Sequence, residues 1–201
     1  MNNLAEQNEF LSWSSSFSHW KMKPTQRYYT TKVALNLFLQ HDGQVIVETG
    51  CQRAHEDWGA GCSTQIFGEF CAKYGKKLYT VDNNAGNLNM AKEITKDYAG
   101  SIEYHLGDSV AFLRDFSQPI DLLYLDSLDC PIDERESALE AQKHALNELL
   151  AASNNLQPTS VVMVDDNDWK HGGKSYLVKR YLQENDWIVL LDEKQSVWIR
   201  R

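Results

Sequence analysis

From Gln44 to its C-terminus the chain alternates between short apolar runs and helix-forming stretches, and few architectures accept that order. The apolar runs are "QVIVET" (44–49), "KLYTVD" (77–82), "SIEYHL" (101–106), "IDLLYLD" (120–126) and "SVVMVDD" (160–166). Between them stand "GCSTQIFGEFCAKYG", closed by Gly75, "AGNLNMAKEITKDYA", "DSVAFLRDF", capped by Asp108, and the long "DERESALEAQKHALNELLAAS". Nearly unbroken apolar runs belong to strands buried on both faces, the condition of a parallel sheet covered by helices. After a last helix, "GKSYLVKRYLQEN", come "WIVLLD" and "SVWIR", separated only by Glu193, Lys194 and Gln195. So short a connection cannot make a parallel crossover, so these two strands must form an antiparallel hairpin. The expected fold is α/β: a doubly wound, mostly parallel sheet of seven strands ending in an antiparallel hairpin.

Residues 1–43 stand apart as an N-terminal extension to the α/β domain of residues 44–201. They interleave polar residues with Phe10, Trp13, Phe17, Trp20, Tyr28 and Tyr29. "TTKVALNLFLQ" carries helical apolar spacing at Val33, Leu35, Leu37 and Phe38. One or two helices with a break at Pro24 are expected, either packing over the sheet or closing over a site as a lid. The 201 residues are 42% hydrophobic and 24% charged, enough for one globular domain with a real core. The net charge of −8 argues against a nucleic-acid binder that works through a general basic field. No apolar run approaches the roughly 18 residues of a membrane helix, and no basic, then apolar leader opens the chain. A cytoplasmic protein with a small-molecule partner is the expectation, with homo-oligomerisation left open. Cys51, Cys62, Cys71 and Cys130 form no CxxC pair and are expected to be buried thiols. A zinc site from Cys51, His55, Cys62 and Cys71 matches no finger or knuckle spacing.

In open α/β sheets ligands bind beyond the carboxyl ends of the strands. Here those ends carry Glu48 and Gly50, then Asp82, then Gly107, Asp108 and Ser109, then Asp126, and finally Asp165, Asp166, Asn167 and Asp168. A carboxylate can accept from both vicinal hydroxyls of a ribose, which suits Asp82. Gly50 admits close backbone approach. "GAGCST", with Ser63, adds hydroxyls and helix N-terminal amides near the same place. Together these describe a site for an adenosine-type cofactor, although Asp108 taken alone reads as a helix cap.

These motifs resemble those of class I S-adenosylmethionine-dependent methyltransferases, whose fold is Rossmann-like. "VIVETGC" looks like their first motif, "LYTVD" like the second with Asp82 as ribose acid, "YHLGDS" like the adenine-side motif and "DLLYLDS" like the one after it. The terminal hairpin fits as well, and the resemblance spans residues 44 to 200. It implies S-adenosylmethionine as cofactor, held by Glu48, Gly50, Ser63, Asp82, Gly107, Asp108, Ser109 and Asp126. The chain departs from the pattern in its first loop, which "CQRAHEDWG" lengthens; His55, Glu56, Asp57 and Trp58 either line the site or form a solvated insertion. A nicotinamide-dependent oxidoreductase would require GxGxxG after the first strand, which "GCQRAHEDWGAG" does not supply. A non-catalytic cofactor-binding sensor has no need of the acid cluster.

That cluster is similar to the metal site of O-methyltransferases of the catechol and caffeoyl-coenzyme A type, where an aspartate after the fourth strand and an Asp-Asn pair after the fifth hold magnesium. The matching residues are Asp126, Asp166 and Asn167, with Asp165 as the alternative because a one-residue shift of the strand end is invisible in sequence. Such an oxygen set suits Mg2+, and a bound cation would activate and orient the hydroxyl of a small acceptor, a sugar included. The catechol-type lysine base has no counterpart in "LDSLDCP". Asp129, His171 or Lys174 is left to take the proton, or metal and solvent suffice. "HGGKS" is not a P-loop, since Asp168 stands where the first glycine is required.

Overall fold

In a computed structural model, the structure describes residues 4–20, 26–129 and 134–201. Two helices, α1 (Leu4–Trp20) and α2 (Gln26–Gln40), precede strand β1 (Val45–Thr49). Then α3 (Ser63–Tyr74), β2 (Lys77–Asp82), α4 (Ala85–Ile94), β3 (Ile102–Leu106), α5 (Ser109–Asp115) and β4 (Ile120–Leu125) alternate. They are followed by α6 (Arg135–Ala152), β5 (Leu156–Val164), α7 (Tyr176–Glu184), β6 (Trp187–Asp192) and β7 (Ser196–Arg200). The seven strands form one sheet in the order β3-β2-β1-β4-β5-β7-β6. The first five pair in parallel, and β7 inserts antiparallel between β5 and β6, as the three-residue turn requires.

The period-2 alternation of each strand divides the core in two. Ile46, Leu78, Leu122, Tyr124, Val161 and Met163 pack against Phe10, Leu35, Phe38, Ile66, Phe67 and Phe70 of α1, α2 and α3. On the other face Val47, Leu123, Leu125, Val162 and Trp198 pack against Leu113, Leu149, Val178 and Leu182 of α5, α6 and α7. All five residues of β1 are buried, which explains why its sequence shows no polar alternation.

Two elements differ from the sequence expectation. The helix after β2 stops at Ile94, followed by a 3-10 turn over Lys96–Ser101, because the Thr95 hydroxyl donates to the Ala91 carbonyl and caps the run. Strand β5 begins at Leu156 rather than 160, and the pairing with β4 skips from Ile120↔Leu156 to Leu122↔Val161. Within that bulge the Ser160 hydroxyl accepts from the Gln157 amide and donates to the Ile120 carbonyl, so Pro158 costs no ladder bond.

Phe10, Trp13 and Tyr28 pack on the core. Phe10 is buried, and Trp13 lies 5.5 Å from Phe70 between ring centroids while its indole donates to Glu69. Tyr28 is buried and Tyr29 is exposed. Pro24, Cys130 and the side chains of Phe17 and Trp20 fall outside the described residues. Among the described residues no helix is long and apolar enough to cross a membrane. Phe10→Ala is expected to cost about 3–5 kcal/mol in urea unfolding monitored by circular dichroism, the range for truncating a core phenylalanine. A loss within experimental error would show that α1 does not belong to the core.

Glu48 is the one acid inside β1. Its side chain points to the α3 face, wholly buried, and one carboxylate oxygen accepts from the hydroxyls of Thr64 and Thr80 at 2.8 Å each. Burial pushes its pKa up to about 7, against the pull of the Ser63, Thr64 and Thr80 hydroxyls. The folded chain therefore keeps this proton to about pH 7, while an unfolded glutamate releases it near 4.5. Between those values the folded state binds more protons, so stability falls as pH rises, by about 3 kcal/mol for this one group. Glu48→Gln is expected to flatten that decline in denaturation curves measured across pH 4.5 to 7; an unchanged decline would assign it to other groups.

Candidate active site

The carboxyl ends of β1, β2 and β4 open into a cavity of about 200 Å3. Gly50 forms its floor with a left-handed φ of 78°; its amide donates to Val81, and a Cβ there would lie 2.4 Å from the Asp126 carbonyl oxygen. Only glycine lets β1 turn away this close to β4. Asp82 lines the cavity as expected. One of its oxygens accepts from the Asn84 amide at 2.7 Å, the other from the Cys51 amide at 3.3 Å, and the Asn87 side chain donates to both. Ser63 lines the same wall at the start of α3. A smaller contiguous recess of about 70 Å3 shares Gly50 and Asp82 and is bounded by Gly107, Asp108, Ser109 and His144.

Apart from Glu48, the sequence-predicted cofactor residues therefore converge, with Asp108 also serving as the expected helix cap. Glu48 lines neither cavity, because its carboxylate is sealed beneath β1 against Thr64 and Thr80; it props the wall rather than facing the ligand. Asp108 caps α5 by accepting from the Ala111 amide at 2.7 Å, so its position in the recess is tied to that cap. Ser109 donates to the wholly buried Glu148, and His144 Nε2 stands 3.2 Å from both. Burial opposes a charged His144, but the Glu148 hydrogen bond dominates and raises its pKa. Neither residue was anticipated, although an acid at position 148, on the stripe of Ala141, Ala145, Leu149 and Ala152, was a visible irregularity.

The lengthened loop contributes unevenly. Asp57 lines the cavity, whereas Trp58 packs on the core and His55 faces Glu93 at 3.6 Å in solvent. Glu56 is exposed at the loop's left-handed turn. Gln52, which no pattern marked, ties the loop to α3: its amide donates to Thr64, and its side-chain oxygen accepts from the Gln65 amide. Cys51 and Cys71 are free thiols, and the Cys62 sulfur accepts from the Gln52 side chain at 3.3 Å. Burial and the nearby Asp82 push the Cys51 thiol far up, so it is no nucleophile.

The carboxylate cluster lies beside the cavity, where β4 and β5 end. Oxygens of Asp126, Asp165 and Asp166 fall within 4.8 Å of one another. Both residues of the ambiguous pair take part. Asp165 is buried and accepts from the guanidinium of Arg27, on α2, at 3.1 Å and from the Tyr124 hydroxyl at 2.9 Å. Asp166, at a left-handed φ of 53°, accepts from Arg27 at 3.1 Å and stands 3.2 Å from the Lys174 ammonium. Asp126 accepts from Lys174 at 2.8 Å and faces the cavity with about a fifth of its side chain exposed (21%). Asp129 lines the cavity mouth, pairs with Arg53 and reaches Lys174 at 3.4 Å. Burial works against its charge, yet Lys174 and Arg53 hold its carboxyl below the ordinary range. Burial also raises Asp126 and Asp166, against Lys174.

Three other residues singled out near this cluster differ in their surroundings. The Asn167 side-chain NH2 donates to Asp192, on β6, at 3.5 Å, while its Oδ1 is buried and accepts no hydrogen bond among the described residues. His171 is exposed at a left-handed turn, and Gln142 donates to its carbonyl. Lys174 is buried, 2% exposed. The donor set also does not fit a divalent ion as it stands. Each carboxylate already faces Lys174 or Arg27, and Lys194 adds a third cation 3.6 Å from Asp166. A dication entering such a set would meet like charges, each pair of unit charges at about 4 Å costing roughly 4 kcal/mol at an effective dielectric of about 20.

A family model described as a methyltransferase domain matches residues 57–167, more than half of the chain. No significant match emerges among curated protein sequences. Among solved structures, the chain is similar to a methyltransferase from Geobacter sulfurreducens, at 12% identity and a TM-score of 0.60, over 96% of this chain and 89% of that one. It is similar to CalS11, a TDP-rhamnose 3'-O-methyltransferase of calicheamicin biosynthesis, at 15% identity and a TM-score of 0.56, over 100% and 96%. It is also similar to the S-adenosylhomocysteine-bound methyltransferase PaMTH1 of Podospora anserina, at 12% identity and a TM-score of 0.56, over 96% and 86%. The likeness to these folds, with the sequence match across the cofactor-side strands, shows that the chain belongs to the methyltransferase-domain family and is a class I S-adenosylmethionine-dependent methyltransferase.

Proposed function

We propose that this methyltransferase acts on the hydroxyl oxygen of a small polar acceptor, sugar hydroxyls included, bound on the Asp126 and Asp129 side of the strand-end cavity. The observation that carries the reading is the layout of that cavity. Asp82, Asp126 and Asp129 line one polar cavity, and the Gly107–Ser109 turn lines the recess that shares Gly50 and Asp82 with it. The overall likeness to a sugar O-methyltransferase is consistent with it but carries only the fold.

S-adenosylmethionine supplies a methyl carbon made electrophilic by its sulfonium. In this reading Asp82 accepts from the ribose hydroxyls, pre-aimed by the Cys51 and Asn84 amides. Gly107, Asp108 and Ser109 edge the adenine, with His144 across from them. Gly50 and Ser63 bound the middle of the cofactor. Asp126 and Asp129 accept a hydrogen bond from the acceptor hydroxyl and direct its lone pair at the methyl carbon. With the cofactor held there, its sulfonium would supply the methyl carbon to the acceptor oxygen and keep the electron pair of the broken carbon–sulfur bond, and the hydroxyl proton would pass through the carboxylate that accepts it to water in the polar cavity. Orientation of this kind can supply roughly 7–11 kcal/mol of a barrier. The acidic surface and the lack of membrane-length helices among the described residues suit a cytoplasmic enzyme with small-molecule substrates and no nucleic-acid partner.

The test is a screen of hydroxylated acceptors, nucleotide sugars and catechols among them, with formation of S-adenosylhomocysteine and of the methylated acceptor read by mass spectrometry. Methyl ethers are expected; methylation confined to amines or thiols would overturn the oxygen reading. In calorimetry Asp82→Ala is expected to weaken S-adenosylmethionine binding by about 10- to 100-fold, the worth of hydrogen bonds to a charged group. Unchanged affinity would remove Asp82 from the ribose site.

A further inference from the structure

Lys174 is almost wholly enclosed, yet its ammonium touches three carboxylates: Asp126 at 2.8 Å, Asp166 at 3.2 Å and Asp129 at 3.4 Å. The loop between β5 and α7 is built to bring it there. Asp166 and Gly173 both adopt left-handed backbone conformations, and the Lys174 amide donates to the Asp166 carbonyl at 3.2 Å. A Cβ at Gly173 would lie 2.0 Å from that same carbonyl oxygen, so only glycine allows the loop to fold back so tightly. Gln142 of α6 pins the return by donating to the carbonyls of His171 and Gly173. The Trp169 ring covers the ammonium at 5.6 Å from its centroid.

The geometry points to Lys174 as a built-in cation: it takes the place among these carboxylates that a divalent ion takes in the metal-dependent enzymes the sequence resembles, and methyl transfer here proceeds without a divalent metal. The inference rests on the proposed oxygen methylation only for what Asp126 and Asp129 orient; the occupancy of the cation position stands apart from it. Arg27 completes the arrangement from the far side, engaging Asp165 and Asp166 and leaving Asp126 to Lys174. Lys174 is a positioning residue. It is enclosed, it makes no part of the cavity wall, and it acts through the two aspartates that do. A mobile hydrated ion would leave those carboxylates free to follow the acceptor; a covalently tethered ammonium fixes them before it binds. The acceptor hydroxyl then meets hydrogen-bond acceptors in place of a Lewis acid.

Mn2+ titrated into the full-length protein and followed by electron paramagnetic resonance tests this without cofactor or acceptor. Wild-type protein is expected to leave millimolar Mn2+ free, and its methyl transfer to withstand exhaustive chelation. Lys174→Met removes the charge at nearly constant length and is expected to bind one Mn2+ at least about tenfold more tightly than wild type, because Asp126, Asp129 and Asp166 each then lose a cationic partner. Stoichiometric Mn2+ binding by the wild-type protein that disappears in Asp126→Asn would overturn the inference, as would a folded Lys174→Met protein that binds no more Mn2+ than wild type. If Lys174→Met does not fold, the wild-type titration decides alone. Failure of every hydroxylated acceptor would end the oxygen-methylation reading and leave the Mn2+ result intact.

Discussion

Asp126, Asp165 and Asp166 bring three negative charges to the ends of two neighbouring strands, two of them on buried residues, and the local architecture follows from the need to balance them. Uncompensated, such charges would drive the β4 and β5 ends apart or force protonation. The chain answers with Arg27 from the N-terminal extension and Lys174 from the loop before α7, two segments far apart in sequence that meet at these carboxylates. The extension is thereby more than a cover for one face of the sheet. Its second helix delivers a guanidinium to the strand ends, while the Arg27 side chain also donates to the Gly59 carbonyl and holds the cofactor loop against the cluster.

The cofactor loop shows a second balance. It is longer than a glycine-rich turn, and its backbone is organised by side chains rather than by glycines alone. Thr64 accepts from the Gln52 amide and donates to Glu48, and Gln52 in turn accepts from the Gln65 amide at the start of α3. The buried glutamate, raised in pKa by its enclosure, thus anchors the wall of a cavity it does not line. Asp82 receives the same support from the Cys51 and Asn84 amides, which leaves its carboxylate oriented before a ligand arrives. In the recess bounded by Gly107–Ser109 the buried Glu148 organises Ser109 and His144 in a like manner.

Much of this was legible in the sequence where a single element carried the signal. The apolar runs foretold buried strands, the three residues Glu193–Gln195 foretold the antiparallel pair, and Gly50, Asp82 and Gly107–Ser109 were placed at the cavity by their position after strands. Where the reading missed, the deciding contact lay far along the chain. The Asn167 side-chain NH2 donates to Asp192 of β6, 25 residues along the chain. His171 and Lys174 stood as alternative residues to take the proton, yet the turn at Gly172 and Gly173 folds one outward and buries the other. The helix end at Ile94 and the early start of β5 turned on single hydroxyls, those of Thr95 and Ser160, which propensity does not weigh.

The sequence by itself determined the succession of strands and helices, the antiparallel pairing of the last two strands, and which acids and glycines stand at the strand ends. Those properties follow from local periodicity, connection length and the geometry of parallel sheets, which act over a few residues at a time. Only the tertiary structure decided what faces the carboxylates. A cluster of acids reads the same in one dimension whether it awaits a metal ion or already holds a lysine and an arginine. The difference is set by long-range charge pairing in a low-dielectric interior, where Arg27 lies 138 residues from Asp165 and Lys174 lies 48 from Asp126.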